Sequence, residues 1–135
     1  MMDNQKLIAE ANDLLEGKGF FIVTADTEVY VGDIKKIEFE KETTMIDLYP
    51  QNQYLLEPDG SWQKSRSPEL WGFDSSKDMG LFNKNSDGTY DMELVDIGSI
   101  TMYPVKNQFI DALRKKFSDV VFGKIPHDLV KYSPT

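Results

Sequence analysis

Phe20-Phe21-Ile22-Val23-Thr24, Val29-Tyr30-Val31, Ile34-Lys35-Lys36-Ile37-Glu38-Phe39 and Thr43-Thr44-Met45-Ile46-Asp47-Leu48-Tyr49 follow one another with only short polar links between them. Each run is rich in β-branched and aromatic side chains, which suit a pleated, half-buried surface. In the last two runs apolar and polar positions alternate, the period of a strand with one wet face. Ala25-Asp26-Thr27-Glu28 links the first two as a hairpin, and Gly32-Asp33 reads as a corner into the third. Glu40-Lys41-Glu42 is the turn into the fourth, which Pro50 is expected to end, because proline cannot donate to a ladder. Four short strands joined so closely can pair only in antiparallel fashion, since parallel neighbours need long crossovers.

Downstream, Tyr54-Leu55-Leu56 runs into Glu57-Pro58-Asp59-Gly60-Ser61, and Trp62 resumes on the far side. Proline pre-sets φ and glycine supplies the permissive position of a tight turn, so Trp62 is expected on a return strand. From Gln63 to Gly80 the alternation is lost. Leu70, Trp71 and Phe73 stand between polar clusters, and the stretch reads as a long loop with an aromatic anchor. Leu81-Phe82 and Tyr90 to Val95 flank a segment carrying Asp87-Gly88, a hairpin signal, and Ile97 to Tyr103 is a last strand closed by Pro104.

Two stretches change to the helical period. Leu7, Ile8, Ala11, Leu14 and Leu15 form one stripe, with Asp3 or Asn4 to cap its start and Gly17 to stop it. Val105, Phe109, Ile110, Leu113, Phe117, Val120 and Val121 form another, ended by Gly123. A one-sided helix has to lie on something. The expected fold is therefore α+β over a single domain, residues 1–135: an antiparallel bent sheet or open barrel of about six to eight strands, with an N-terminal helix and a long C-terminal helix packed on it. Strands followed by one terminal helix resemble, in outline, the pleckstrin-homology-like roll, and a helix followed by short bent strands resembles the Sm-like barrel. No binding residues of either match position by position, so the resemblance carries no function.

Composition removes whole classes of chemistry. The 135 residues include no cysteine and one histidine, His127, which excludes disulfides, thiolate metal sites and cysteine nucleophiles, and leaves a serine triad a single candidate base. No cofactor is expected. The polar opening Met1-Met2-Asp3-Asn4-Gln5-Lys6 lacks the basic start and apolar run of a signal peptide, so a cytoplasmic protein without a membrane span is expected. Formal net charge is −8. Residues 1–60 hold 13 acids and 5 bases, whereas residues 106–135 hold 3 acids and 6 bases. An acidic domain repels phosphate at long range, so free nucleic acid is not an expected partner.

Several constellations remain as candidates. Asn83, Asn85 and Asp87 precede Gly88 as in a calcium loop, but Leu94 stands where a bidentate Glu belongs and the flanks read as strands, so a hairpin loop is preferred. Arg114-Lys115-Lys116 reads as a solvated helix face, or with Lys106 and Lys124 as a contact for phosphate or a lipid headgroup. His127 beside Asp128 reads as a surface imidazole. Asp33, Glu38, Glu40, Glu42 and Asp47 alternate with apolar residues and read as the wet side of a sheet, a row of carboxylates open to a basic partner. Val31-Gly32-Asp33-Ile34-Lys35-Lys36-Ile37 is echoed by Leu94-Val95-Asp96-Ile97-Gly98-Ser99-Ile100, a likeness that corners between strands produce without duplication.

The expected function is a small acidic protein-binding module of the inhibitor, immunity or adaptor type. It would occupy a basic protein surface through Glu38, Glu40, Glu42 and Asp47, with Trp62 and Trp71 as aromatic contacts. The alternatives are a carboxylate-dependent enzyme or small-ligand carrier with a pocket in the sheet, and a phosphate or headgroup binder.

Overall fold

The computed structural model describes residues 4–25, 28–57, 61–65, 70–74, 82–94 and 98–116. In chain order these form α1 (Asn4–Leu15), β1 (Phe20–Ala25), β2 (Glu28–Glu40), β3 (Met45–Leu56), β4 (Trp62–Lys64), β5 (Trp71–Asp74), β6 (Asn83–Lys84), β7 (Tyr90–Leu94), β8 (Gly98–Tyr103) and α2 (Lys106–Lys116). The eight strands make one open antiparallel sheet in the order β4-β3-β2-β1-β8-β7-β6, with β5 sharing the outer edge of β3. The fold is α+β, with both helices packed on the sheet.

Alternation along the central strand explains why there are two helices. Phe21 and Val23 of β1 join Leu7, Ile8, Ala11 and Leu15 of α1, while Ile22 and Phe20 point the other way, to Phe109 and Leu113 of α2. Successive side chains of a strand take opposite faces, so α1 and α2 cover opposite faces of the sheet. A strand buried on both sides reads as an unbroken apolar run, which is what Phe20 to Val23 is. Each Leu or Ile fully buried this way contributes on the order of 1.5–3 kcal/mol. Leu14 of the first stripe stays exposed. Phe109 and Leu113 are buried as expected, whereas residues 117–122 of the second stripe lie outside the described residues.

The expected corner at Gly32-Asp33 is instead the middle of a single long strand. A Cβ at position 32 would run into the Asn52 carbonyl oxygen and would lie 2.8 Å from the Phe21 ring, so glycine serves a close approach of backbones there. Just beyond it the β2–β3 register shifts twice, between Asp33 and Ile34 and between Ile34 and Lys36. The Ile34 amide donates to the Gly19 carbonyl (2.8 Å), the Ile34 carbonyl accepts from the Gly17 amide (3.0 Å), and Asn12 Oδ1 accepts from the Ile37 amide (2.9 Å). The end of α1 thus takes up backbone groups that the irregular ladder leaves over. Pro50 sits opposite Ile34 at the same irregularity. Its missing N–H falls where the pairing is already interrupted, so β3 passes through proline instead of ending there.

One further expectation is corrected. Trp71–Asp74 is a strand, not part of a loop, because Phe73 buries against the α1-side core while the backbone pairs with Met45–Leu48. Asp33 of the echoed segment lies inside β2, and its counterpart Asp96 lies outside the described residues.

Candidate functional site

The far end of the long β2–β3 hairpin gathers the acidic side chains. The four-residue turn at 41–44 sets the register, placing Glu40 opposite Met45, Glu38 opposite Asp47 and Lys36 opposite Tyr49. Directly opposed residues share a sheet face. Lys36, Glu38, Glu40, Asp47 and Tyr49 therefore occupy one face, while Ile37, Phe39, Ile46 and Leu48 of the same strands fill the core beneath α1. Glu38 and Glu40 are exposed, and Glu42 is exposed in the turn.

Asp47 departs from the expectation of a wet row of carboxylates. It is only 3% exposed. Strand β5 brings Gly72 directly opposite it, and a Cβ on Gly72 would lie 2.9 Å from Met45 Cε and 3.4 Å from Asp47 Oδ1. The side chains of Met45 and Asp47 already fill the room above Gly72, which is why glycine suits that position. Burial pushes the Asp47 carboxyl up to about 6, helped by a hydrogen bond with the Glu40 carboxyl and then by the charges of Glu40 and Glu38.

The rest of the corner is held by ordinary contacts. Lys36 Nζ donates to Glu38 Oε1 at 2.8 Å and lies 4.6 Å from the centre of the Tyr49 ring. That bond holds the Glu38 carboxyl below, and the Lys36 ammonium above, their usual ranges. The Tyr49 hydroxyl is raised by desolvation and by the neighbouring acids. At the tip, Thr44 has φ 58° and its hydroxyl donates to Asp74 Oδ1 at 2.7 Å, joining the turn to β5.

The two tryptophans do not join this cluster. Trp71 points to the α1 side, where its indole N–H donates to Gln53 Oε1 (2.8 Å) and its ring meets Tyr30 edge-on at 5.0 Å. It is half-buried and ties β5 to the core. Trp62 is half-buried on β4, opposite Leu56 at the other end of β3, against the α2-side core.

The remaining candidates are also placed. In the β6–β7 hairpin, Asn85 Nδ2 donates to Thr89 Oγ1 (3.0 Å) and Asp91 Oδ2 (3.1 Å), while Asp87 Oδ1 accepts from the Thr89 amide (3.0 Å) and hydroxyl (2.6 Å). These bonds hold the Asp87 carboxyl below its usual range. The loop's oxygens close its own turn. Among the described residues no group of three or more acidic, His or Cys side chains is placed to hold a metal ion, and no helix is long and apolar enough to cross a membrane. Arg114 and Lys115 are exposed on α2 and Lys106 is half-buried. Lys124, His127, Asp128 and the Lys116 side chain lie outside the described residues.

Lys36, Tyr49, Gly72 and Asp74 belong to the corner and escaped the reading of the sequence. The first two were findable: once the turn is taken as 41–44, counting back from Glu40 and forward from Met45 pairs Lys36 with Tyr49 as it pairs Glu38 with Asp47. Gly72 and Asp74 had no such signal, because β5 is four residues long in a stretch without alternation. Compared with protein-family models, curated proteins and solved structures, the chain matches none.

Proposed function

We propose that the protein is a binding module that docks the basic surface of a partner protein with the acidic end of its β2–β3 hairpin, in the manner of an inhibitor, immunity or adaptor domain. The observation that carries this reading is the register pairing of Glu38 with Asp47. It sets exposed Glu38 and Glu40 side by side on one face, with Glu42 at the adjoining tip and a buried carboxyl beneath. Their summed field draws in a cationic surface and weakens as salt screens it. The burial of Asp47 speaks against a carboxylate-dependent enzyme at this corner, since a proton donor has to meet its substrate. Trp62 and Trp71 serve as packing and not as contacts in this account, each being engaged with its own core.

The test is a pull-down from native extract at low and moderate salt, with wild type beside Glu38→Lys/Glu40→Lys. Capture of a stoichiometric basic protein by wild type, lost in the double variant and weakened by salt, supports the reading. Equal capture by both proteins contradicts it.

A further inference from the structure

We propose that the acidic corner receives an arginine of the basic partner, whose guanidinium bonds the exposed Glu40 and supplies the counter-charge that the buried Asp47 lacks. This arginine seat rests on the docking reading above and names the group that is docked. A row of exposed acids alone would not single out a ligand; its buried member does. Asp47 is 3% exposed, and the ladder puts it on one face with Glu38, directly opposite, and Glu40, on the diagonal. Among the described residues no cation is paired with the Asp47 carboxyl and no N–H group donates to it. Buried carboxylates are ordinarily compensated by a cation or by donors, so an uncompensated one under a docking face leaves a place for a cation from outside.

The same face already holds one cation of its own. Lys36 Nζ lies 2.8 Å from Glu38 Oε1 and 4.6 Å from the centre of the Tyr49 ring, so Glu38 has its counter-charge from within the chain. Glu40 and Asp47 have no such partner among the described residues. Met45 and Tyr49, two positions before and after Asp47 on β3, share its face and are half-buried. A cation entering beside Glu40 therefore meets an acidic floor between a thioether and an aromatic ring.

The chemistry of that seat selects a guanidinium. Among the described residues no three acidic side chains are placed to hold a metal ion. An ammonium is a compact, strongly hydrated charge, whereas a guanidinium is planar, more weakly hydrated and presents a fork of donors to a carboxylate. A cation lying against a desolvated carboxyl has to shed water, and arginine loses least by doing so.

Capped hexa-arginine and hexa-lysine peptides are the probes, with affinities measured by calorimetry at pH 7.5, above the value of about 6 to which burial raises the Asp47 carboxyl. Wild type should bind the arginine peptide on the order of tenfold more tightly than the lysine peptide. Asp47→Asn and Glu40→Gln should each remove most of that preference. The ratio is the readout because losing one unit of general charge weakens both peptides alike. Glu40→Gln, at an exposed position, is the decisive variant if Asp47→Asn does not fold. Equal affinity of wild type for the two peptides, binding of neither, or an unchanged ratio in a folded variant overturns the arginine seat. The docking reading fails separately: it falls if Glu38→Lys/Glu40→Lys captures the partner as well as wild type does. It stands, without the seat, if that variant loses the partner while wild type binds both peptides alike.

Discussion

Replacing Phe109 by alanine should remove a large part of the protein's stability. The ring is 0% exposed, stacks on Phe20 at 4.8 Å and 13°, and is tilted against Tyr103 at 5.9 Å. Ile22, Val31, Tyr54 and Leu113 complete the cluster between α2 and the sheet. Deleting a buried Phe ring costs about 3–5 kcal/mol, against a total of about 5–15 kcal/mol for a domain of this kind. With a urea slope of about 2 kcal/mol/M, the midpoint should fall by about 2 M. Val105→Ala is the control: one residue before the same helix and 52% exposed, it should change stability by less than about 0.5 kcal/mol. The two-layer arrangement adds a sharper condition. Ile8→Val, on α1 across the sheet, should combine with Phe109→Ala additively to within about 0.5 kcal/mol, because the two sites share no partner. If Phe109→Ala moves the urea midpoint no further than Val105→Ala, or if it couples strongly to Ile8→Val, the helices do not sit on opposite faces and the reasoning fails.

Gly32→Ala should destabilise by about 1–3 kcal/mol in the same urea assay, since the new methyl meets the Asn52 carbonyl oxygen and the Phe21 ring; a change within error would mean that the strands do not approach as closely as described. Calcium, zinc or a chelator should leave the melting temperature unchanged, because the oxygens of the 83–89 loop are committed to one another; a rise with calcium that disappears in Asp87→Ala would show a site there.

The class of fold was legible because local signals agreed with the global arrangement. The helical stripes, the β-branched runs and the Asp87-Gly88 turn each demand one structure. Boundaries failed where tertiary pairing overrides local punctuation. Gly32 looked like a turn because glycine is common there, yet it is used for backbone approach in mid-strand, and Pro50 is accommodated only because the ladder is irregular opposite it. Strand β5 was illegible for a different reason: four residues with one buried position are too short to show a period, and pairing with β3 supplies what its own sequence does not. At the acidic corner the alternation correctly put Glu38, Glu40 and Asp47 on one face. It could not show that Asp47 is buried, since its ladder neighbour Gly72 stands on that same unreadable strand.

The acidic corner as a docking surface is tested most directly by association kinetics with the basic partner recovered at low salt, measured across a range of salt concentrations. Three proteins are compared: wild type, Glu38→Lys/Glu40→Lys, and Arg114→Glu/Lys115→Glu, whose exposed side chains lie on α2. The expected result is that the first pair of changes slows association and flattens its salt dependence, while the second leaves both near wild type. Association that survives reversal of the acidic pair and is lost on reversal of the basic pair would contradict the account, because the partner would then be anionic and would dock on α2.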